Sequence, residues 1–208
     1  TVKNVPDWLQ HRERLLPLAQ RLAALPEETL AKYVHEPSKY SFGWSHGKEN
    51  LQGVPDFAKG SFYANPQYDR PVDDEDLISK YPSFLHQNIC PTEALPELEA
   101  AFKQLGGIIV GVGALVARQC DRYAHKVQAS YAPNRLESII RTSRCCKARL
   151  LHYFSTPVAD LSASEAHDDD FSSWCGWHND HGSLTGLCSA MYLGEDGKEV
   201  ENSDPSSG

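Results

Sequence analysis

The sequence predicts an α+β protein, with a mostly helical first part over residues 1–144 and a strand-rich second part over 145–208. Three observations carry this. Apolar residues recur at helical spacing in residues 7–34 and again from Thr92 to about Tyr123. Gly, Pro, Asn and Asp punctuate the stretch 36–76. From Lys147 onward the pattern changes to short apolar runs bounded by small polar residues.

Taken in order, Asp7 is placed to cap a helix carrying Trp8, Leu9, Leu15, Leu16, Ala19 and Leu22. A second helix is expected to start at Pro26, where a missing backbone N–H costs nothing, with Glu27 and Glu28 favourable in its first turn. Residues 36–76 read as a long irregular connector. Thr92 is the expected cap of the main helix, with Leu95, Leu98, Phe102, Leu105, Ile109, Val112 and Val116 inward. Gly106-Gly107 weakens that helix by about 1 kcal/mol per glycine relative to Ala. Small residues there let another element approach, so the helix is expected to lie against a sheet. A shorter helix is expected near Leu136–Arg141, and Ala148–Phe154 reads as a strand ended by Ser155, Thr156 and Pro157. Leu161–Ser173 is polar and acidic, hence a loop, and Trp174–His178 and Leu184–Leu193 are two further strand candidates. The tail from Gly194 has turn composition.

The 208 residues suffice for one large domain or two small ones, and 40% hydrophobic with 23% charged residues is ordinary for a globular protein. With 20 Lys+Arg against 28 Asp+Glu the net charge is −8, which repels phosphate backbones and argues against a nucleic-acid partner. The longest apolar run, Ile108–Ala117, is too short to span a bilayer and reads as a buried core helix, with no membrane partner. The six cysteines, Cys90, Cys120, Cys145, Cys146, Cys175 and Cys188, offer no Cys-x-x-Cys pair and read as reduced, intracellular core residues. A cytoplasmic location is the expectation, although a chain beginning at Thr1 without Met leaves any removed targeting segment unreadable.

His178-Asn179-Asp180 places an imidazole and a carboxylate two positions apart. On an extended segment these project from one face, so both can reach a single metal. Two histidines and one carboxylate form the facial triad of non-haem iron(II) oxygenases, which leaves positions open for a bidentate oxo-acid and for dioxygen. The chain holds a second copy, His167-Asp168-Asp169, set among acidic and small polar residues with no apolar strand after it. Around His178, by contrast, Gly182 and Gly186 permit a tight turn, and an apolar run follows. His178 and Asp180 are therefore the candidate metal ligands, and His167 is read as a loop residue.

Trp177-His178-Asn179-Asp180-His181-Gly182-Ser183-Leu184-Thr185 resembles the iron-binding segment of isopenicillin-N-synthase-like, iron(II)- and 2-oxoglutarate-dependent oxygenases. Upstream, Arg149-Leu150-Leu151-His152-Tyr153 is similar to the family strand that ends in a tyrosine. The block Gly53–Tyr63 resembles the connector before the family's long helix, and Tyr81-Pro82-Ser83-Phe84 its Trp-Pro or Tyr-Pro step. The resemblance covers about residues 26–193. It implies a helical region packed on a double-stranded β-helix, or jelly roll, of which 145–208 is the first part. It also implies iron(II) held by His178 and Asp180, with Tyr153 hydrogen-bonded to the distal carboxylate of 2-oxoglutarate. The implied reaction consumes dioxygen, decarboxylates 2-oxoglutarate to succinate and oxidises a small organic substrate, with ascorbate as a supporting reductant.

The chain departs from the family pattern in ways that matter. The family's second iron histidine and its Arg-x-Ser follow the His-x-Asp at some distance, and no His or Arg follows His181 here. A strand and a Phe-Phe-x-Val-type segment are also missing before residue 1, so both ends are expected to be cut from a longer protein. His181 and His152 are alternatives for the third ligand: His181 would leave a continuing strand on the face opposite Asp180, and His152 would point away from Tyr153. Substrate-pocket residues are expected in Tyr33–Asn50 and Phe57–Tyr68. For the parent family the expected function is an oxygenase. For this polypeptide alone, a non-catalytic fragment or truncated form acting as a binding module is the other reading. A zinc hydrolase is a more distant one, lacking a His-Glu-x-x-His helix.

Overall fold

The computed structural model describes residues 1–51, 54–155, 179–194 and 196–201. It is an α+β arrangement, in which helices pack on one face of a small antiparallel sheet.

Helices α1 (Trp8–Leu15) and α2 (Pro17–Ala23) divide at Leu16 because Pro17 has no N–H to continue the ladder. Asp7 adopts a left-handed conformation, φ 57°, and its side chain makes no cap, contrary to the sequence expectation. Leu15, Leu18, Ala19 and Leu22 enter the core, while Leu9 is exposed. Helix α3 (Glu27–Leu30) begins directly after Pro26 with Glu27 and Glu28 in its first turn, as expected, and single 3-10 turns follow at Ala31–Tyr33 and Glu36–Ser38.

The stretch expected to be an irregular connector contains most of the sheet. Strands β1 (Gly43–His46) and β4 (Lys59–Ala64) pair antiparallel, flanking a short hairpin of β2 (Asn50–Leu51) and β3 (Val54–Pro55). Strand β5 (Ala148–Tyr153) pairs with the other side of β4, giving the order β1-β4-β5. The central strand was hidden because its inward position 60 is glycine. A Cβ there would lie 2.2 Å from Trp44 Cη2, so the indole fills the space a side chain would need. Among the described residues the sheet has these three strands and no jelly roll is formed.

Helices α4 (Glu75–Lys80) and α5 (Pro82–Leu85) lead to α6 (Glu97–Val127), and α7 (Arg135–Thr142) folds back on its end. Helix α6 starts after Pro96 rather than at Thr92, since proline's ring and missing N–H stop the helix from extending backwards. Leu98, Ala101, Phe102 and Leu105 pack on the sheet, where Phe102 meets Phe62 edge-on at 5.3 Å between centroids. Gly106 lets Pro66 approach, whereas Gly107 has nothing within 4 Å. Val112 and Val116, expected inward, are only half-buried, and Ala114, Ala117 and Asp121 take the buried positions. By length and composition alone α6 is long and apolar enough to cross a membrane, and 33% of its apolar window is buried.

The expected strand Leu184–Leu193 forms no ladder apart from an isolated bridge between Leu193 and Glu199. Instead 179–194 lies on the helices as a strap. Arg12 Nη2 donates to Ala190 O at 2.6 Å, Arg12 Nε to Ser189 O at 3.4 Å, and Nη1 to Glu199 Oε1 at 3.0 Å. Carbonyls that a neighbouring strand would have bound are thus met by a buried guanidinium. Cys188 packs against the core, and a Cβ on Gly186 would meet Ile109 Cγ2 at 2.4 Å.

Of the described cysteines, Cys90, Cys146 and Cys188 are half-buried, while Cys120 and Cys145 are exposed rather than in the core; all five are free. Cys175 lies outside the described residues, as do the expected loop Leu161–Ser173 and the expected strand Trp174–His178.

Candidate functional site

The sheet separates its residues by the two-residue period of a strand. Trp44, Phe62, Ala64 and Leu150 face the helices and are buried. The other face carries Ser45, Lys59, Ser61, Tyr63, Arg149 and Tyr153, with Leu151 between the last two, so its chemistry is mainly polar. Arg149 donates from Nε and Nη2 to Ser61 Oγ at 3.0 and 2.7 Å, and from Nη2 to Glu49 Oε1 at 2.6 Å. The Tyr63 hydroxyl donates to the same Glu49 oxygen at 2.7 Å, and the Arg149 guanidinium lies 5.0 Å from the centre of the Tyr63 ring. Lys59 Nζ sits 2.7 Å from the buried Asp56 Oδ2 and 3.5 Å from Glu49 Oε2, while Ala58 N–H donates to Asp56 Oδ1 at 2.9 Å.

The electrostatics follow from these contacts. Burial opposes ionisation of Glu49, but the Tyr63 hydrogen bond and the Arg149 and Lys59 charges outweigh it and hold the carboxyl below its usual range. Burial likewise opposes a charged Lys59, and Asp56 with Glu49 reverses that and raises it. Tyr63 is pushed up, chiefly by burial, with the Arg149 charge opposing and the Glu49 hydrogen bond adding to the rise.

Tyr153 ends β5 opposite Lys59 and is 36% exposed on the polar face. His152 points to the opposite face, as the alternation requires. Its ring meets Phe154 edge-on at 4.8 Å, and burial lowers its pKa. Asp180 is exposed in the strap and accepts a hydrogen bond from Thr185 Oγ1 at 2.6 Å. Bends at 181–183 follow it, so no strand alternation sets the direction of the His181 side chain. His178 and His167 lie outside the described residues. Tyr153 therefore belongs to the sheet's polar face, and Asp180 to the strap on α1 and α6.

Asp180 is an exposed carboxylate, the donor type that hard cations take, with one oxygen accepting from the Thr185 hydroxyl. Among the described residues no group of three or more His, Cys, Asp or Glu side chains is close enough to hold one ion. The polar network was missed by sequence reasoning, although Glu49, Lys59 and Tyr63 fall inside the stretches expected to line a pocket. Part of its signal was available in the alternation Lys59, Ser61, Tyr63, whereas Leu151 between Arg149 and Tyr153 breaks the pattern on β5. Comparison with known proteins adds no neighbour: no family model, curated protein or solved structure matches the chain.

Proposed function

We propose that this chain is part of an iron(II)- and 2-oxoglutarate-dependent oxygenase acting on a small organic substrate. The supporting observation is the segment Trp177–Thr185, in which Thr185 donates to the carboxylate of Asp180, the acidic half of the His178-x-Asp180 pair. In this reading the three-stranded sheet is the beginning of a jelly roll, and α6 is the long helix packed beside it. His178 and Asp180 hold the metal, Thr185 fixes the orientation of Asp180, and the Tyr153 hydroxyl donates to a carboxylate of 2-oxoglutarate. Iron, when bound, supplies the oxidative chemistry through dioxygen. The chain's own residues bind and orient.

The test is succinate formation from 2-oxoglutarate under air, with iron(II) and ascorbate. Metal-dependent succinate that Asp180→Ala abolishes supports the reading. Absence of both succinate and metal-dependent 2-oxoglutarate binding sinks it and favours a binding module. That second reading draws on Leu115, Tyr123 and Val127, large apolar side chains exposed along α6.

A further inference from the structure

Glu49 does not belong to the three-stranded sheet. It stands between β1 and β2, two residues after Gly47, whose φ of +63° few other residues adopt. Yet three donors from two strands converge on its carboxylate: Arg149 Nη2 at 2.6 Å, Tyr63 OH at 2.7 Å and Lys59 Nζ at 3.5 Å. None of the three relies on Glu49 alone for its place. Arg149 is fixed by two hydrogen bonds to Ser61 Oγ and lies over the Tyr63 ring. Lys59 is fixed by buried Asp56, and Tyr63 by its position in the central strand. Without Glu49 the cluster would hold two cations against one anion, around donors partly withdrawn from water. Such a site favours an anion that sets one oxygen between Arg149 and Tyr63 and a second toward Lys59, as the Glu49 carboxylate does. Glu49 itself shows what fits, and its side chain is 37% exposed, so its way out to solvent is open.

We propose that Lys59, Tyr63 and Arg149 form a binding site for the carboxylate of a small organic acid, which Glu49 occupies from within the chain. Glu49 acts as a tethered competitor. A free acid binds only in the fraction of molecules whose Glu49 has swung away, and its apparent affinity is reduced by that fraction. The site shares the sheet face of Tyr153, which stands opposite Lys59, but the inference stands apart from the oxygenase reading, since neither iron, His178, Asp180 nor the Tyr153 hydroxyl takes part in it.

The experiment is calorimetric titration of the full chain with succinate in the presence of a chelator. Wild type is compared with Glu49→Ala, Glu49→Gln and the double variant Glu49→Ala/Arg149→Gln, with circular dichroism to check each fold. Glu49→Ala is expected to bind succinate at least about tenfold more tightly than wild type. Arg149→Gln should abolish that gain, and added salt should weaken the binding. If Glu49→Ala loses its fold, Glu49→Gln, which keeps the side chain's shape but removes the competing charge, is expected to bind succinate more tightly than wild type by a smaller factor. Equal affinity in wild type and a folded Glu49 variant overturns the proposal, as does a gain that survives Arg149→Gln. Inorganic phosphate bound as tightly as succinate overturns the carboxylate class. Unfolding of both Glu49 variants makes Glu49 a strut rather than a replaceable occupant, and overturns the proposal too.

Discussion

The sheet's polar face and the strap 179–194 both carry residues of the kind that do chemistry, and they are held in opposite ways. On the sheet, Lys59, Tyr63 and Arg149 are set by strand register, each ladder bond repeating the same spacing. In the strap, position comes from one buried arginine on α1 and from close packing at Gly186 and Cys188. Register distributes the support over many bonds, so single losses are local. A strap tied by two side chains, Arg12 and, at its end, Gln20 Nε2 donating to Gly194 O at 3.3 Å, loses most of its polar support when Arg12 is lost.

The largest effect should therefore come from Arg12→Ala. It removes the Arg12 donors from the carbonyls of Ser189 and Ala190, leaving Ser189 O the Cys188 thiol at 3.6 Å, and removes the ion pair to Glu199. Stability in urea should fall by about 2–3 kcal/mol. Cys188, now half-buried against the core, should become faster to alkylate. A loss below about 1 kcal/mol with unchanged alkylation would show that the strap is held by something other than Arg12.

Gly60→Ala tests the sheet in the same terms. The new methyl would meet the buried Trp44 ring, which must shift, and overpacking of this kind costs about 1–3 kcal/mol. Register should nonetheless survive, leaving the Arg149–Glu49 contact in place. A structure of the variant with β4 displaced by one residue would contradict the claim that support on the sheet is distributed.

A smaller effect is expected at Tyr153, which belongs to the sheet although its proposed partner is 2-oxoglutarate. Tyr153→Phe should weaken 2-oxoglutarate binding by roughly 0.5–1.5 kcal/mol, the worth of one hydrogen bond. An unchanged dissociation constant would remove Tyr153 from the site. The smallest effect concerns acid. Because the Glu49 carboxyl is held below its ordinary value of 4.5, the stability it contributes is fully present above that pH. That contribution is lost as pH falls through the lower folded-state value. Glu49→Gln should flatten the stability–pH curve below about pH 4.5. An identical slope in the variant would show that Glu49 is not stabilised as an anion.

The helices after Pro26 and over Leu136–Arg141 were legible, whereas the short helices α4 and α5 were not. Caps were not: Asp7 and Thr92 have the right chemistry, but Pro96 and the left-handed turn at Asp7 set the boundaries instead. Strand β5 was legible because Leu150 and its apolar neighbours form a continuous run. Strand β4 was not, since Gly60 stands where an inward side chain was needed and Trp44, sixteen residues away, fills the gap. Leu184–Leu193 misled for the complementary reason. It has the composition of a strand, but its carbonyls meet Arg12, a partner no local pattern can announce. For the candidate site, residue type pointed to Asp180 and Tyr153 individually. The ion-pair network around Glu49 was invisible because its members lie up to 100 residues apart in the chain.

The most direct test of the proposed metal chemistry is anaerobic iron(II) titration of the chain beside His178→Ala, Asp180→Ala and His167→Ala. The oxygenase reading requires iron binding that His178→Ala and Asp180→Ala each weaken strongly and His167→Ala leaves intact. Unchanged affinity in both of the first two variants would contradict it, and loss confined to His167→Ala would move the metal to the other His-x-Asp pair.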